Sequence, residues 1–152
     1  MGWNFLCIIK NMFISIGRSL DRLLNKIKPI MINRSRVPNL FSTNGMYMYG
    51  VTFFPFIFLV DFVNPPEDME IIYKPEEIVN HETIHFQQAL ETGIIGFYAI
   101  FLLEFIIKSI IYRNIKDGYR NISFEVEAYK YMKNMKYLEN RKRYTWVRYI
   151  LN

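Results

Sequence analysis

The sequence predicts a helix-rich α+β fold with a small β-sheet and an amphipathic helix at its N-terminus. Residues 47–63 are dense in aromatic and β-branched side chains, which is typical of strands. Residues 75–92 and 94–113 instead have the length and the flanking signals of helices. We therefore expect a basic N-terminal segment at 1–36 and one domain at 37–152.

Composition and charge narrow the possible functions. Hydrophobic residues make up 51% of the chain and aromatic residues 17%, a high apolar content for a water-soluble protein. The single cysteine, Cys7, excludes an internal disulfide and a cysteine-rich zinc module. The net charge is +5, and residues 1–36 hold seven basic residues against one acidic residue. A basic, apolar segment favours a membrane surface over nucleic acid as a partner.

The N-terminal segment contains apolar side chains at helical spacing over residues 3–28, and Pro29 ends the predicted helix. Its basic side chains form a separate stripe: Arg18, Arg22 and Lys26. A helix at a membrane surface, through residues 1–28, and a helix packed on the domain both fit this pattern. Lys10 interrupts the apolar run and no small-residue cleavage site follows, so we predict no cleavable signal peptide. We expect the protein in the cytoplasm or at a membrane.

The aromatic and β-branched stretch from Tyr47 to Val63 predicts a pair of strands separated at Pro55. Pro55 and Asp61 interrupt the stretch and make a membrane insertion the weaker interpretation. Met69–Tyr73 is expected to form a further short strand. The strand near Val51–Phe58 could align an extended peptide by β-addition.

A helix over residues 75–92 contains the most informative motif of the chain. Pro75 fits the first helical position and Gly93 is a good terminator. The motif is His81-Glu82-Thr83-Ile84-His85, an H-E-x-x-H pentapeptide that uses both histidines of the chain. Residues four apart share a helix face, so His81 and His85 can bind one Zn²⁺, with Glu82 as general base on a zinc-bound water.

A second helix, over residues 94–113, is nearly all apolar and about as long as a bilayer span. Glu104 and Lys108 form an i, i+4 pair within it, which favours a buried hairpin helix over a span. Residues 114–121 are expected to form a loop, and a third helix is expected from about Ser123 to Asn140.

The third helix supplies candidates for the missing zinc ligand. A catalytic zinc needs three protein ligands, and with no further histidine we expect a carboxylate. Glu125 and Glu127 are two residues apart and point roughly 200° apart, so only one should face the metal. Helix lengths at about 1.5 Å per residue place Glu127 nearer the level of the histidines. We predict Glu127 as the ligand and Glu125 as a helix cap or a substitute ligand.

The pattern of His81–His85 followed by Glu127-Ala128-Tyr129 resembles that of gluzincin-type zinc metallopeptidases. More closely, residues 48–152 resemble small bacterial proteins with H-E-x-x-H-x-x-Q, an apolar helix and F-E-x-E-A-Y; Gln88 and Phe124 match that pattern. The resemblance implies a zincin-like α+β fold in which a sheet edge lies over the motif helix and receives an extended peptide.

The predicted function is that of a zinc metallopeptidase acting on a peptide or protein substrate. Glu82 would act as base, and Tyr131, one turn from Glu127, would donate to the oxyanion in preference to Tyr129, although packing is the commoner role of a tyrosine. Two alternatives remain: a non-catalytic zinc-binding structural or interaction protein, and a small membrane-associated protein with an incidental motif. Glu82 favours the enzyme, because a purely structural site does not need that residue.

Overall fold

The computed structural model describes residues 26–43, 46–67 and 69–151. Within these residues the fold is mixed α+β and helix-rich, with five α-helices and one three-stranded sheet. The predicted α+β class is therefore confirmed. The amphipathic helix predicted over residues 3–28 lies almost entirely outside the described residues.

The sheet contains strands β1 (Ile30–Ile32), β2 (Gly50–Phe53) and β3 (Phe56–Leu59), in the order β1-β3-β2. β1 is parallel to β3, whereas β2 is antiparallel to it. Pro55 lies in the turn between β2 and β3, where the sequence predicted a break. β1 comes from the N-terminal side of the boundary expected at residue 36. The strand predicted at 69–73 is wrong, because these residues form no strand.

The helices follow the sheet in the chain. They are α1 (Pro75–Thr92), α2 (Ile94–Tyr112), α3 (Ile115–Arg120), α4 (Ser123–Tyr131) and α5 (Tyr137–Asn140), with 3-10 helices at Pro38–Phe41 and Thr145–Tyr149. The loop predicted at 114–121 is wrong, because α3 lies there. The Asn114 side chain accepts hydrogen bonds from the backbone N–H groups of Lys116 and Asp117 and so caps α3. The predicted third helix is correct at its start but ends earlier, at Tyr131.

α1 begins and ends where the sequence predicted. Pro75 is its first residue, and the Glu77 carboxylate accepts a hydrogen bond from the backbone N–H of Lys74 at 3.2 Å. The helix ends at Gly93, whose φ of 73° lies in the region that favours glycine. Local signals at both ends therefore determine the length of the helix that carries the H-E-x-x-H motif.

α1 lies between two hydrophobic clusters. The first joins α1 to the sheet through residues that include Ile57, Leu59 and Phe86. The second joins it to α2 and α4 through residues that include Phe97 and Phe124. Because both sides of α1 are covered, its histidines are buried between the two clusters rather than exposed on a surface.

α2 buries few of its side chains, and the expectation of a buried hairpin helix is wrong. Its buried residues are Phe97, Glu104 and Lys108, so the charged pair faces the protein. Large apolar side chains face outward instead: Ile95 is 85% exposed and Ile110 is 70% exposed. By length and composition α2 is able to cross a membrane.

Glu104 connects α2 to the first turn of α4. Its carboxylate accepts hydrogen bonds from the backbone N–H of Ser123 at 2.7 Å and from the Ser123 hydroxyl at 2.6 Å. The first N–H groups of a helix have no partner within the helix, and a carboxylate there is favourable. The buried acid of α2 thus determines where α4 begins and holds its first turn against α2.

α2 and α3 are in close backbone contact at Gly118. A Cβ atom at this position would lie 2.5 Å from the Cα of Ser109 in α2. Such a distance is far below van der Waals contact, so the helices can approach this closely only because residue 118 has no side chain.

We predict that Gly118→Ala lowers the free energy of unfolding by about 1–3 kcal/mol, because α2 and α3 must separate to admit the methyl group. Gly96→Ala is the matched control, since a Cβ there meets nothing closer than 3.8 Å and alanine favours a helix. Chemical denaturation of both variants measures the difference. Equal stability of the two variants would contradict the close contact.

Candidate metal site

Three side chains from two helices converge on one point. His81 and His85 are one turn apart on α1, and their Nε2 atoms lie 3.0 Å from each other. Glu125, in the first turn of α4, places Oε2 3.2 Å from His81 Nε2 and Oε1 3.2 Å from His85 Nε2. The three side chains are nearly inaccessible to solvent, with exposures of 5%, 4% and 1%.

The spacing of these atoms fits a metal ion. Tetrahedral ligand atoms at about 2.0–2.1 Å from a zinc-sized ion lie roughly 3.3 Å from one another. The three measured separations are 3.0, 3.2 and 3.2 Å. Glu125 Oε2 is close to His81 but makes no hydrogen bond. An ion bound between the three side chains therefore explains their positions better than hydrogen bonds among them. The buried group His81, His85 and Glu125 could therefore hold a metal ion.

The structure corrects the predicted third ligand, because Glu125 lies beside the histidines and Glu127 does not. Glu127 faces the opposite side of α4, where Tyr137 and Arg141 donate hydrogen bonds to its Oε1 at 2.7 and 2.6 Å. The prediction that only one of the two acids faces the histidines chose Glu127, because it compared their levels along the helices and no other contacts. Both are buried, because the C-terminal segment covers the side of α4 that faces away from the histidines.

Gln88 links the metal site to Glu127. Its amide Nε2 donates to Glu127 Oε2 at 3.0 Å and to the carbonyl oxygen of Phe124 at 3.1 Å. These two acceptors orient the amide, so its Oε1 faces His85 Nδ1 at 2.7 Å. His85 must then donate from Nδ1, which leaves the lone pair of Nε2 for a metal.

Arg141 forms ion pairs with two acids behind Gln88. It donates to Glu127 through Nε and Nη2, and it also forms an ion pair with Glu91 of α1. Burial lowers the pKa of Arg141, but its hydrogen bonds to both carboxylates outweigh burial and raise that pKa further above its usual value. Arg141 thus remains charged and ties the C-terminal segment to both ligand-bearing helices.

The pKa values of Glu125 and His85 indicate that their surroundings favour a bound cation. Burial raises the pKa of Glu125, but the two histidines outweigh this effect and hold that pKa well below its usual range. Burial lowers the pKa of His85, yet Glu125, Glu82 and Gln88 together raise it to about 9. The surroundings of His85 therefore favour positive charge at this point, and a metal ion supplies such charge in place of a proton.

Glu82 lies next to this group and is held by β2. Its Oε2 accepts a hydrogen bond from the Thr52 hydroxyl at 2.7 Å, and burial is the main cause of its raised pKa. A Cβ atom at Gly50 would lie 2.7 Å from the Glu82 side chain, so β2 can cover Glu82 only with glycine there. Gly50 and Thr52 were not among the residues predicted for the site, although a glycine inside a strand is a signal of close approach.

The tyrosines that lie near the histidines and Glu125 are Tyr119 and Tyr129, not the predicted Tyr131. Tyr131 stacks on Tyr137 with ring centroids 3.9 Å apart, on the side of α4 away from the histidines, so the structure does not bring it to the group of His81, His85 and Glu125. Tyr129 instead packs its ring against His81 at 4.6 Å. Tyr119, which the sequence analysis placed in a loop, donates its hydroxyl to Glu125 Oε1 at 2.5 Å.

The site is thus a buried pair of histidines and a carboxylate, with a second carboxylate, Glu82, and a tyrosine hydroxyl at its edge. A search with this chain finds no matching family model, no matching curated protein and no matching solved structure. The positions of these residues are therefore the basis for assigning a function.

We predict that Glu125→Ala abolishes stoichiometric metal binding, because the mutation removes one of three ligands. Glu127→Gln is the matched control: its one amide oxygen can still accept from Gln88, Arg141 keeps its ion pair with Glu91, and the variant should retain about one ion per chain. Elemental analysis after dialysis against trace metal checks both variants. Loss of metal from Glu127→Gln alone would contradict the assignment of Glu125.

Proposed function

We propose that the protein is a zinc-dependent metallopeptidase of the gluzincin type. The observation that carries this proposal is the buried group of His81, His85 and Glu125 with Glu82 beside it. Two histidines and a glutamate are a ligand set of catalytic zinc in peptidases, and three protein ligands leave one position for water or substrate. The α+β fold and the position of β2 over α1 agree with a zincin-like arrangement.

The chemistry of such a site requires a base beside the ligands. A zinc ion held by these residues supplies a polarised water and a Lewis acid for the substrate carbonyl. Glu82 would accept the proton of that water and deliver it to the leaving amine. Thr52 holds the carboxylate on the wall of the cavity at the site, where a water or a substrate can reach it.

Tyr119 would take the role that the sequence predicted for Tyr131. Its hydroxyl lies 2.5 Å from Glu125 and its side chain lines the cavity beside the metal group. Burial is the first cause that raises its pKa well above the usual value, so the hydroxyl keeps its proton. To stabilise the oxyanion of the tetrahedral intermediate, this hydroxyl would transfer its one hydrogen bond from Glu125 to the oxyanion.

The substrate is proposed to be an extended peptide or a protein segment that lies along β2. This strand is at one end of the sheet order β1-β3-β2 and touches Glu82 through Thr52 and Gly50. An extended peptide can add to an exposed strand edge by main-chain hydrogen bonds. Binding there would carry the scissile bond past Glu82.

We predict that Glu82→Gln keeps the metal but lowers peptide hydrolysis by at least roughly 100-fold, because the amide cannot accept the proton. Glu76→Gln, an exposed acid on the same helix, is the control and should be as active as the wild type. Zinc content and cleavage of a peptide library are measured together. Cleavage by Glu82→Gln would refute the mechanism, and zinc without cleavage in the wild type would favour a non-catalytic zinc protein.

We also propose that α2 holds the protein at a membrane. The observation that favours this location is the orientation of α2, which directs Glu104 and Lys108 inward and a continuous apolar face outward. Exposed apolar patches of this kind mark contact with lipid or with another protein. The basic residues at 1–36 add electrostatic attraction to anionic lipid, which favours a membrane as the contact.

We expect the full chain to float with anionic lipid vesicles in a density gradient. A triple variant, Leu103→Gln, Ile106→Gln and Ile110→Gln, removes apolar side chains from the outer face of α2 and should shift most of the protein to the bottom. Val63→Gln with Ile72→Gln, which changes exposed apolar residues elsewhere, should float like the wild type. Flotation of the triple variant at wild-type level would contradict lipid contact through α2.

A further inference from the structure

A cavity of about 220 Å³ opens beside the candidate metal group. Its volume exceeds that of an apolar cavity of about 150 Å³ that is known to admit benzene in another protein. One phenyl-sized group would therefore fit it. The cavity is bounded by β2 on one side and by α2 on the other. Glu82 and His85 of α1 also line it.

The walls of the cavity are mainly apolar. The apolar side chains that line it are Phe41, Met48, Val51, Phe53, Phe97 and Phe101. Phe97 and Phe101 come from the inner face of α2, and their rings lie 6.1 and 6.4 Å from the ring of His85. An apolar group in the cavity would thus lie directly against a metal-site residue.

The polar residues of the cavity are those of the metal site and its edge. Glu82, His85, Glu125 and Tyr119 line it together with Thr52 and Tyr98. A polar reacting group and an apolar side chain of the same molecule would therefore be bound side by side. Few well-placed polar groups in a largely apolar cavity are typical of a specificity pocket.

Phe41 and Phe53 extend the apolar surface to the outside. They are 45% and 38% exposed, and their rings lie 5.7 Å apart. An apolar side chain approaching the cavity therefore meets aromatic rings before it reaches the metal group. Polar or charged side chains would gain no binding free energy from contact with these two rings.

We propose that this cavity selects a substrate with a bulky apolar side chain, aromatic or long aliphatic, next to the scissile bond. The inference rests on the proposed function and adds the substrate class to it. The side chain lies between Met48 on the sheet side and Phe101 on α2, while the bond to be cleaved lies at Glu82 and His85.

The test uses three hydroxamates, which bind zinc through the same group and differ only in the attached arm. The probes are acetohydroxamate, phenylpropionic hydroxamate and succinic monohydroxamate. Each is titrated calorimetrically into the zinc-loaded full chain. Burial of a phenyl group predicts that the phenyl probe binds roughly 10- to 100-fold more tightly than acetohydroxamate, whereas the carboxylate probe shows no gain.

A lining variant locates the phenyl group. Met48→Asp places a charge in the wall and should reduce the gain of the phenyl probe to less than about threefold, while acetohydroxamate binds as before. Met135→Asp makes the same change at an exposed position outside the cavity and should keep the full gain. Unchanged acetohydroxamate binding shows that each variant keeps a folded metal site.

The outcomes separate the two proposals. If acetohydroxamate binds but the phenyl probe shows no gain, or if the carboxylate probe gains as much, the apolar pocket is refuted and the metal site stands. A full phenyl gain in Met48→Asp likewise refutes the cavity as the binding place. Absence of zinc and of any hydroxamate binding refutes the proposed function, and the substrate class with it.

Discussion

Four glutamates of the described residues are buried in and around α1 and α4, and the stabilisation of their carboxylates is the constraint on which the arrangement depends. Removing one partner from a buried charged pair costs about 3–5 kcal/mol, because the remaining charge stays in a medium that solvates it poorly. Each acid therefore has a specific partner. Glu104 binds the first turn of α4, Glu82 binds Thr52, Glu127 binds Arg141, and Glu125 binds the two histidines.

The division of these partners explains why Glu125 is the acid available to a metal. Arg141 lies on the far side of α4 and compensates Glu127 and Glu91, so Glu127 is already paired. Within the part of the chain that the structure describes, the two imidazoles and the Tyr119 hydroxyl lie against the Glu125 carboxylate, and these groups leave room for a cation among them. Gln88 joins the two sets, since its amide contacts Glu127 and His85 at once. A charge pair behind the site thus orients one of its histidines.

Local signals in the sequence were sufficient for some parts of the structure and not for others. Pro75 and Gly93 determine the ends of α1, and the pentapeptide spacing alone brings His81 and His85 to one face. Local sequence signals could not distinguish Glu125 from Glu127 as the ligand, because the difference depends on Arg141 and on the burial of both sides of α4. The inward orientation of Glu104 was equally hidden, since its partner, the start of α4, lies 19 residues further along the chain.

α2 has two faces with different surroundings. Its inner face contributes Phe97 and Phe101 to the cavity and Glu104 to the start of the helix that carries Glu125. Its outer face is apolar and exposed, so the same helix that would lie against lipid also forms a wall of the proposed specificity pocket. A change that tilts α2 would therefore alter the pocket and the position of Glu125 together. In this arrangement the proposed membrane contact and the proposed substrate choice would both depend on α2, and a substrate rich in apolar side chains is the kind that a membrane surface would concentrate.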